Sequence, residues 1–195
     1  MKGFVLLIID MQKLFLDKES PFYRQIDNEL IPNIQKLIDA CRIKQIPIVF
    51  IRGRDSFPSK EPASGVLSQK WPELRNIKDE KRSKLNEIID ELKPQKGDYI
   101  VTKLKYSAFF ATELDTILRF GLNAKQLVIV GGAVNNCIRA TVHDAVFRDY
   151  KIIVLRDCLY RSIRDPDGII AESELKAISY GYGEVMKLED FLKLI

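Results

Sequence analysis

Apolar runs of five or six residues alternate along this chain with longer stretches in which apolar residues recur every three or four positions. The runs read as buried strands and the longer stretches as amphipathic helices. Strands are predicted over Phe4–Ile9, Pro47–Arg52, Asp98–Lys103, Gln126–Val130, Lys151–Arg156 and Glu184–Lys187. Helices are predicted over Asn28–Gln45, Lys84–Leu92, Thr112–Phe120, Asn136–Asp149 and Ile170–Tyr182, with a last turn or two over Glu189–Leu194. Pro32 is tolerable only in the first turn of its helix. Thr112 and Asp115 suit a capping box, with Asp in place of the usual Glu. Alternation of this kind implies a mostly parallel six-stranded sheet with helices on both faces. The expected architecture is one three-layer α/β/α domain over residues 1–195, with Rossmann-like strand order 3-2-1-4-5-6.

One stretch breaks the pattern. From Gly53 to about Ser83 the chain carries Pro58, Pro62, Gly65, Trp71 and Pro72. A connection this long in a compact domain is usually functional or mobile. It is expected to be a flap over the site or a subunit contact surface.

Composition narrows the function. With 46% hydrophobic and 30% charged residues in 195, the chain is ordinary for one globular domain with a sizeable core. The net charge of +4 is mild and dispersed, so nucleic acid is not an expected partner. No apolar run approaches a membrane span, and Phe4 to Ile9 is too short for a signal-peptide core. Three cysteines, Cys41, Cys137 and Cys158, form no paired framework, so a cytoplasmic protein with reduced thiols is expected.

Chemistry gathers at strand ends. Gly131-Gly132-Ala133-Val134-Asn135-Asn136-Cys137 follows the fourth strand and leads into a helix whose Ile138, Val142, Ala145 and Val146 share one face. Cys137 thus sits at a helix start, where unpaired N–H groups and the macrodipole favour a thiolate. Asp10 ends the first strand and Lys103 the third. Ligands of open α/β sheets bind at the carboxyl ends of strands beside the switch in strand order. In the order 3-2-1-4-5-6, Asp10 and Cys137 face each other there, while Lys103 is about 10 Å away across two strand spacings and has to reach inward. Asp10 can take the thiol proton and return it to a leaving amine, and N–H groups near Ala133 and Cys137 can serve an oxyanion.

Three motifs carry a family resemblance. They are Leu-Ile-Ile-Asp10-Met-Gln12-Lys-Leu-Phe15, Tyr99-Ile-Val-Thr-Lys103-Leu-Lys-Tyr-Ser107-Ala-Phe109, and Val130-Gly-Gly-Ala-Val-Asn-Asn-Cys137-Ile-Arg-Ala-Thr141-Val-His-Asp144-Ala145. In order and spacing, over nearly the whole chain, they resemble the isochorismatase-like cysteine hydrolases, which include nicotinamidases, carbamoyl-amide hydrolases and isochorismatases. The resemblance implies an Asp10–Lys103–Cys137 triad, with Lys103 chosen over Lys105 by its spacing to Ser-Ala-Phe. It also implies a cis Gly132–Ala133 peptide bond. Gly132 and Val134 depart from the commonest residues of the motif. The metal-binding nicotinamidases carry an aspartate and several histidines after the second strand. Here Ile51-Arg-Gly-Arg-Asp55-Ser-Phe holds the aspartate and no histidine, so no metal site and no cofactor are expected.

Other residues have two readings each. Phe15 is core or pocket wall, and its place just past Asp10 favours the wall. Trp71 is a lid aromatic or a packing residue. Arg52 and Arg54 could bind a substrate carboxylate by bidentate pairing, or be solvated. His143 is expected on a helix surface or interface, and Cys41 and Cys158 as packed, unreactive residues. Gly131-Gly132 lacks the G-x-G-x-x-G pattern of a dinucleotide loop. The expected function is metal-independent hydrolysis of a C–N bond in a small amide or carbamoyl compound, by a homo-oligomer (dimer or tetramer). The alternatives are isochorismatase-type vinyl ether hydrolysis, against which the presence of Cys137 argues, and a silent binding module on the same fold.

Overall fold

The computed structural model describes residues 3–24, 26–53 and 79–195. Its six strands are β1 (Phe4–Ile9), β2 (Ile48–Gly53), β3 (Tyr99–Lys103), β4 (Gln126–Gly132), β5 (Lys151–Tyr160) and β6 (Glu184–Met186). They form one sheet in the order β3-β2-β1-β4-β5-β6, and every neighbouring pair is parallel. The switch in strand order falls between β1 and β4.

Side chains alternate across a strand, so each buried strand feeds two cores. Val5, Leu7 and Ile9 pack on one face with Leu114, Leu118, Ile138, Val142, Leu175 and Ile178. Leu6 and Ile8 pack on the other with Ile34, Leu37, Ile38, Leu188 and Phe191. The described helices are α1 (Lys13–Leu16), α2 (Leu30–Ile43), α3 (Asp79–Leu85), α4 (Leu114–Thr116, continued by a wider π turn over Ile117–Gly121), α5 (Arg139–Val146), α6 (Ile169–Gly181) and α7 (Leu188–Leu194). None of the described helices is long and apolar enough to cross a membrane.

Four local features differ from the periodicity reading, each for a physical reason. The stretch expected as one helix over residues 84–92 is broken, with α3 ending at Leu85 and a short 3-10 turn over Asp90–Leu92. Between them the chain turns at Asn86 and Glu87, and Ile88 forms an antiparallel bridge with Gln12. Lys13 N–H donates to Glu87 O at 2.9 Å and Ile89 N–H to Met11 O at 3.1 Å. The expected Thr112–Asp115 capping box is absent. Thr112 Oγ1 accepts from Leu114 N–H, while Asp115 turns to Arg119 and the Tyr150 hydroxyl. The helix start at Cys137 is a π turn over Val134–Ile138, running straight into α5. Finally, β5 continues to Tyr160. Ile129 faces Val154 and Gly131 faces Leu159, so two steps along β4 are matched by five along β5. This bulge carries Tyr160 beside Gly132 at the sheet's carboxyl edge.

Candidate active site

Asp10, Lys103 and Cys137 meet at that edge. Asp10 follows β1 with φ 54°, in the left-handed region, and its N–H is held by Ile51 O at 2.9 Å. Lys103 ends β3 in register with Gly53, the last residue of β2. Lys103 Nζ reaches 2.8 Å from Asp10 Oδ2 and donates to Cys137 Sγ at 3.4 Å and to Lys105 O at 3.1 Å. The rival lysine thus contributes only its carbonyl to this cluster. All three triad candidates are buried. Asp10 Oδ1 is also buried and has no hydrogen-bond partner in the described structure, which leaves it open to the thiol proton.

The electrostatics differ from the expected thiolate. Burial, reinforced by the Asp10 carboxylate, pushes the Cys137 thiol up to about 12, against the opposing pull of Lys103. Desolvation outweighs the ammonium and the helix start, so the free site holds a neutral thiol. Burial alone would push the Lys103 ammonium down, but Asp10 and Cys137 together raise it above its ordinary value. The resting site is therefore a buried carboxylate–ammonium pair beside a thiol.

The shell around the triad explains the flanking motif residues. Gln12 is fully buried, and its Nε2 donates to Asn86 O at 2.9 Å and Asn86 Oδ1 at 3.1 Å. Its Oε1 accepts from Gly53 N–H at 2.8 Å. This one side chain ties the end of β2 to the segment that follows α3. Ser107 Oγ donates to Asp144 Oδ2 at 2.5 Å, and Ala108 N–H donates to Thr141 Oγ1 at 3.1 Å. The loop after Lys103 is thereby pinned to the helix that follows Cys137.

The elbow is tightly constrained. Gly131 has φ +99°, and a Cβ there would lie 2.0 Å from Ile9 O. A Cβ on Gly132 would lie 2.6 Å from the Tyr160 ring, which accounts for glycine at this departure from the motif. The Gly132–Ala133 peptide bond is cis. Tyr160 is buried and its hydroxyl donates to Asp10 O at 2.8 Å. Burial, with Asp10 and Cys137 nearby, keeps it a phenol.

Phe15 lies partly buried beside this cluster, its ring 6.2 Å from that of Tyr160. The Arg24 guanidinium lies over the Phe15 ring, 5.4 Å from its centre. Arg52 is the penultimate residue of β2. Trp71, Arg54 and Asp55 lie outside the described residues. His143 sits on α5, with Nε2 3.9 Å from Glu174 Oε1 and its ring 4.3 Å from Tyr182. Cys41 and Cys158 are buried in the core on the α2 side of the sheet.

Tyr160 and Arg24 carry no signal in the sequence reading. Tyr160 lies beyond a strand whose apolar pattern stops at Arg156, and nothing in periodicity reveals a bulge. Arg24 stands in an irregular stretch after Pro21.

A buried thiol, carboxylate and ammonium at the switch point of a parallel sheet define an α/β protein with a candidate thiol-based active site. The chain belongs to the isochorismatase family, whose domain model matches residues 4–190. It is 31% identical over 205 residues to ureidoacrylate amidohydrolase RutB of Pseudomonas savastanoi pv. phaseolicola, covering 95% of this chain and 81% of that protein. Among solved structures, a cysteine hydrolase from Pseudomonas syringae pv. phaseolicola superposes with a TM-score of 0.87 at 28% identity, covering 97% of this chain and 91% of that one. N-carbamoylsarcosine amidase from Thermoplasma acidophilum superposes with a TM-score of 0.77 at 27% identity, covering 97% of this chain and 98% of that one.

Proposed function

We propose that this protein is a metal-independent cysteine amidohydrolase that cleaves a C–N bond of a small amide or carbamoyl compound through a covalent enzyme intermediate. It is a hydrolase of non-peptide C–N bonds, like its amidohydrolase relatives. The observation that carries the thiol mechanism is the contact of Lys103 Nζ with both Asp10 Oδ2 and Cys137 Sγ.

The reaction starts from the neutral thiol. Asp10 takes the Cys137 proton as sulfur attacks the carbonyl carbon, so no free thiolate has to persist in the buried site. The Lys103 ammonium offsets the carboxylate before transfer and the developing sulfur charge during it. The N–H groups of Ala133, just before the π turn, and of Cys137, within it, stabilise the tetrahedral oxyanion. Asp10 then protonates the leaving nitrogen, and the C–N bond breaks to give an acyl- or carbamoyl-Cys137 and free amine or ammonia. Water, deprotonated by Asp10, attacks the thioester. Collapse releases the acid and returns the proton to sulfur. Phe15 forms part of the pocket wall, and Trp71 and Arg54 are substrate-contact residues of the 53–83 segment. The working form is a cytoplasmic homo-oligomer.

A screen of small amides, ureas and carbamoyl compounds, read by ammonia release, tests this reading. It is supported by turnover that disappears in Cys137→Ala, and refuted if Cys137→Ala keeps wild-type turnover on the best substrate.

A further inference from the structure

The Arg24 guanidinium is nine-tenths buried, yet pairs with no acidic side chain among the described residues. Nη1 donates to Phe22 O at 2.8 Å. Nε is shut off from water and has no hydrogen-bond partner among the described residues. Nη2 has none among the described residues either. The Nε–Nη2 edge is the side of a guanidinium that grips a carboxylate with two parallel hydrogen bonds. The group lies over Phe15, whose ring neighbours Tyr160, and the Tyr160 hydroxyl is bonded to Asp10 O. Arg24 is therefore joined through Phe15 and Tyr160 to the cluster that holds Cys137.

Charge counting gives the same direction. Asp10 and Lys103 cancel, and the thiol is neutral at ordinary pH. Among the described residues, Arg24 then leaves the site one positive charge in excess. Burial lowers the Arg24 pKa, and the acidic groups that oppose this are Tyr160 and Cys137, both members of the same cluster. A buried cation without a partner is costly, and a partner that arrives with the substrate removes that cost.

We propose that Arg24 binds a carboxylate carried by the substrate, so that the enzyme selects amides or carbamoyl compounds that are anions. The inference deepens the proposed function and rests on Cys137 being the nucleophile. It assigns the carboxylate contact to Arg24 in the irregular stretch before α2, in place of the Arg52 or Arg54 that follow β2.

The test compares a carbamoyl amino acid with its carboxamide, in which the carboxylate is neutralised and the scissile group is kept. Wild-type protein is expected to prefer the acid, by kcat/KM, by about a hundredfold, the worth of a charge-assisted bidentate contact. Arg24→Gln should collapse that preference towards one, mainly through KM, and Arg24→Lys should restore part of it. Equal turnover of acid and carboxamide by the wild type overturns the proposal without any variant having to fold. A second measurement separates it from the thiol mechanism. Propionate should slow alkylation of Cys137 by a neutral reagent in wild type, and do so far less in Arg24→Gln. If propionate protects but no carbamoyl compound is hydrolysed, the carboxylate site stands and the proposed reaction fails. If amides are hydrolysed through Cys137 with no preference for the acid and no protection, the reaction stands and the Arg24 assignment fails.

Discussion

Lys103 Nζ lies 2.8 Å from Asp10 Oδ2 although a whole strand separates their backbones. Both groups are buried, so neither charge has water to fall back on. Removing one partner strands the other, at a cost of about 3–5 kcal/mol. Lys103→Met is expected to lose turnover and to lower unfolding free energy by about that amount, read by urea denaturation. A variant as stable and active as wild type would contradict the role given to the pair.

Asp10→Asn should separate thiol acidity from catalysis. The carboxylate raises the Cys137 thiol and Lys103 lowers it. With the carboxylate gone, Lys103 is left as the charged neighbour, so thiolate should form at lower pH. Alkylation of Cys137 by a neutral reagent is expected to show its pH midpoint shifted downward in the variant, while turnover is lost for want of a proton carrier. An unmoved or raised midpoint would show that Asp10 does not act on the sulfur.

Tyr160→Phe removes the hydroxyl that donates to Asp10 O and leaves that buried acceptor without it. The expected loss is about 1–3 kcal/mol in stability. Turnover should fall as well, because the bond holds Asp10 in its left-handed conformation. Gly132→Ala should resemble it, since the new Cβ would meet the Tyr160 ring at 2.6 Å and displace it. Crystal structures and melting curves of the two variants check this.

How far these relationships are legible in the sequence depends on their range. The strands, the helices on both faces and the placing of Asp10 and Cys137 at strand ends follow from periodicity, because buried parallel strands and amphipathic helices leave a local signature; the strand order is the common doubly wound one and is not itself encoded in that pattern. The reach of Lys103 does not follow from periodicity, since its side chain crosses β2 to meet Asp10 only in the folded sheet. Tyr160 depends on a bulge in β5, and Arg24 on a loop folded back so that Arg24 N–H bonds Phe15 O at 2.7 Å. Neither leaves a periodic trace. The raised Cys137 thiol is not legible either: helix position and a neighbouring lysine are visible in sequence, whereas the burial that opposes them is a property of the assembled core.

Alkaline pH should destabilise the fold. Burial pushes the Cys41 thiol up to about 12, and Cys137 is held as high, against an ordinary thiol value of 9.0. Above that ordinary value the unfolded chain has lost thiol protons that the native state keeps. The stabilising contribution is fully present below the unfolded value and is lost as pH rises towards the folded one. Urea unfolding at about pH 8 and about pH 10 should show lower stability at the higher pH, by up to about 1.4 kcal/mol per pH unit for each such thiol. Cys41→Ala should show a shallower decline between the two. An equal decline would remove Cys41 from the explanation.

The most direct test of the thiol mechanism is mass spectrometry of enzyme quenched during turnover of its best amide or carbamoyl substrate, followed by proteolytic mapping. The account predicts an acyl or carbamoyl adduct on Cys137, none on Cys41 or Cys158, and no adduct or turnover in Cys137→Ala. Substrate cleavage that proceeds with no adduct and survives undiminished in Cys137→Ala would contradict it.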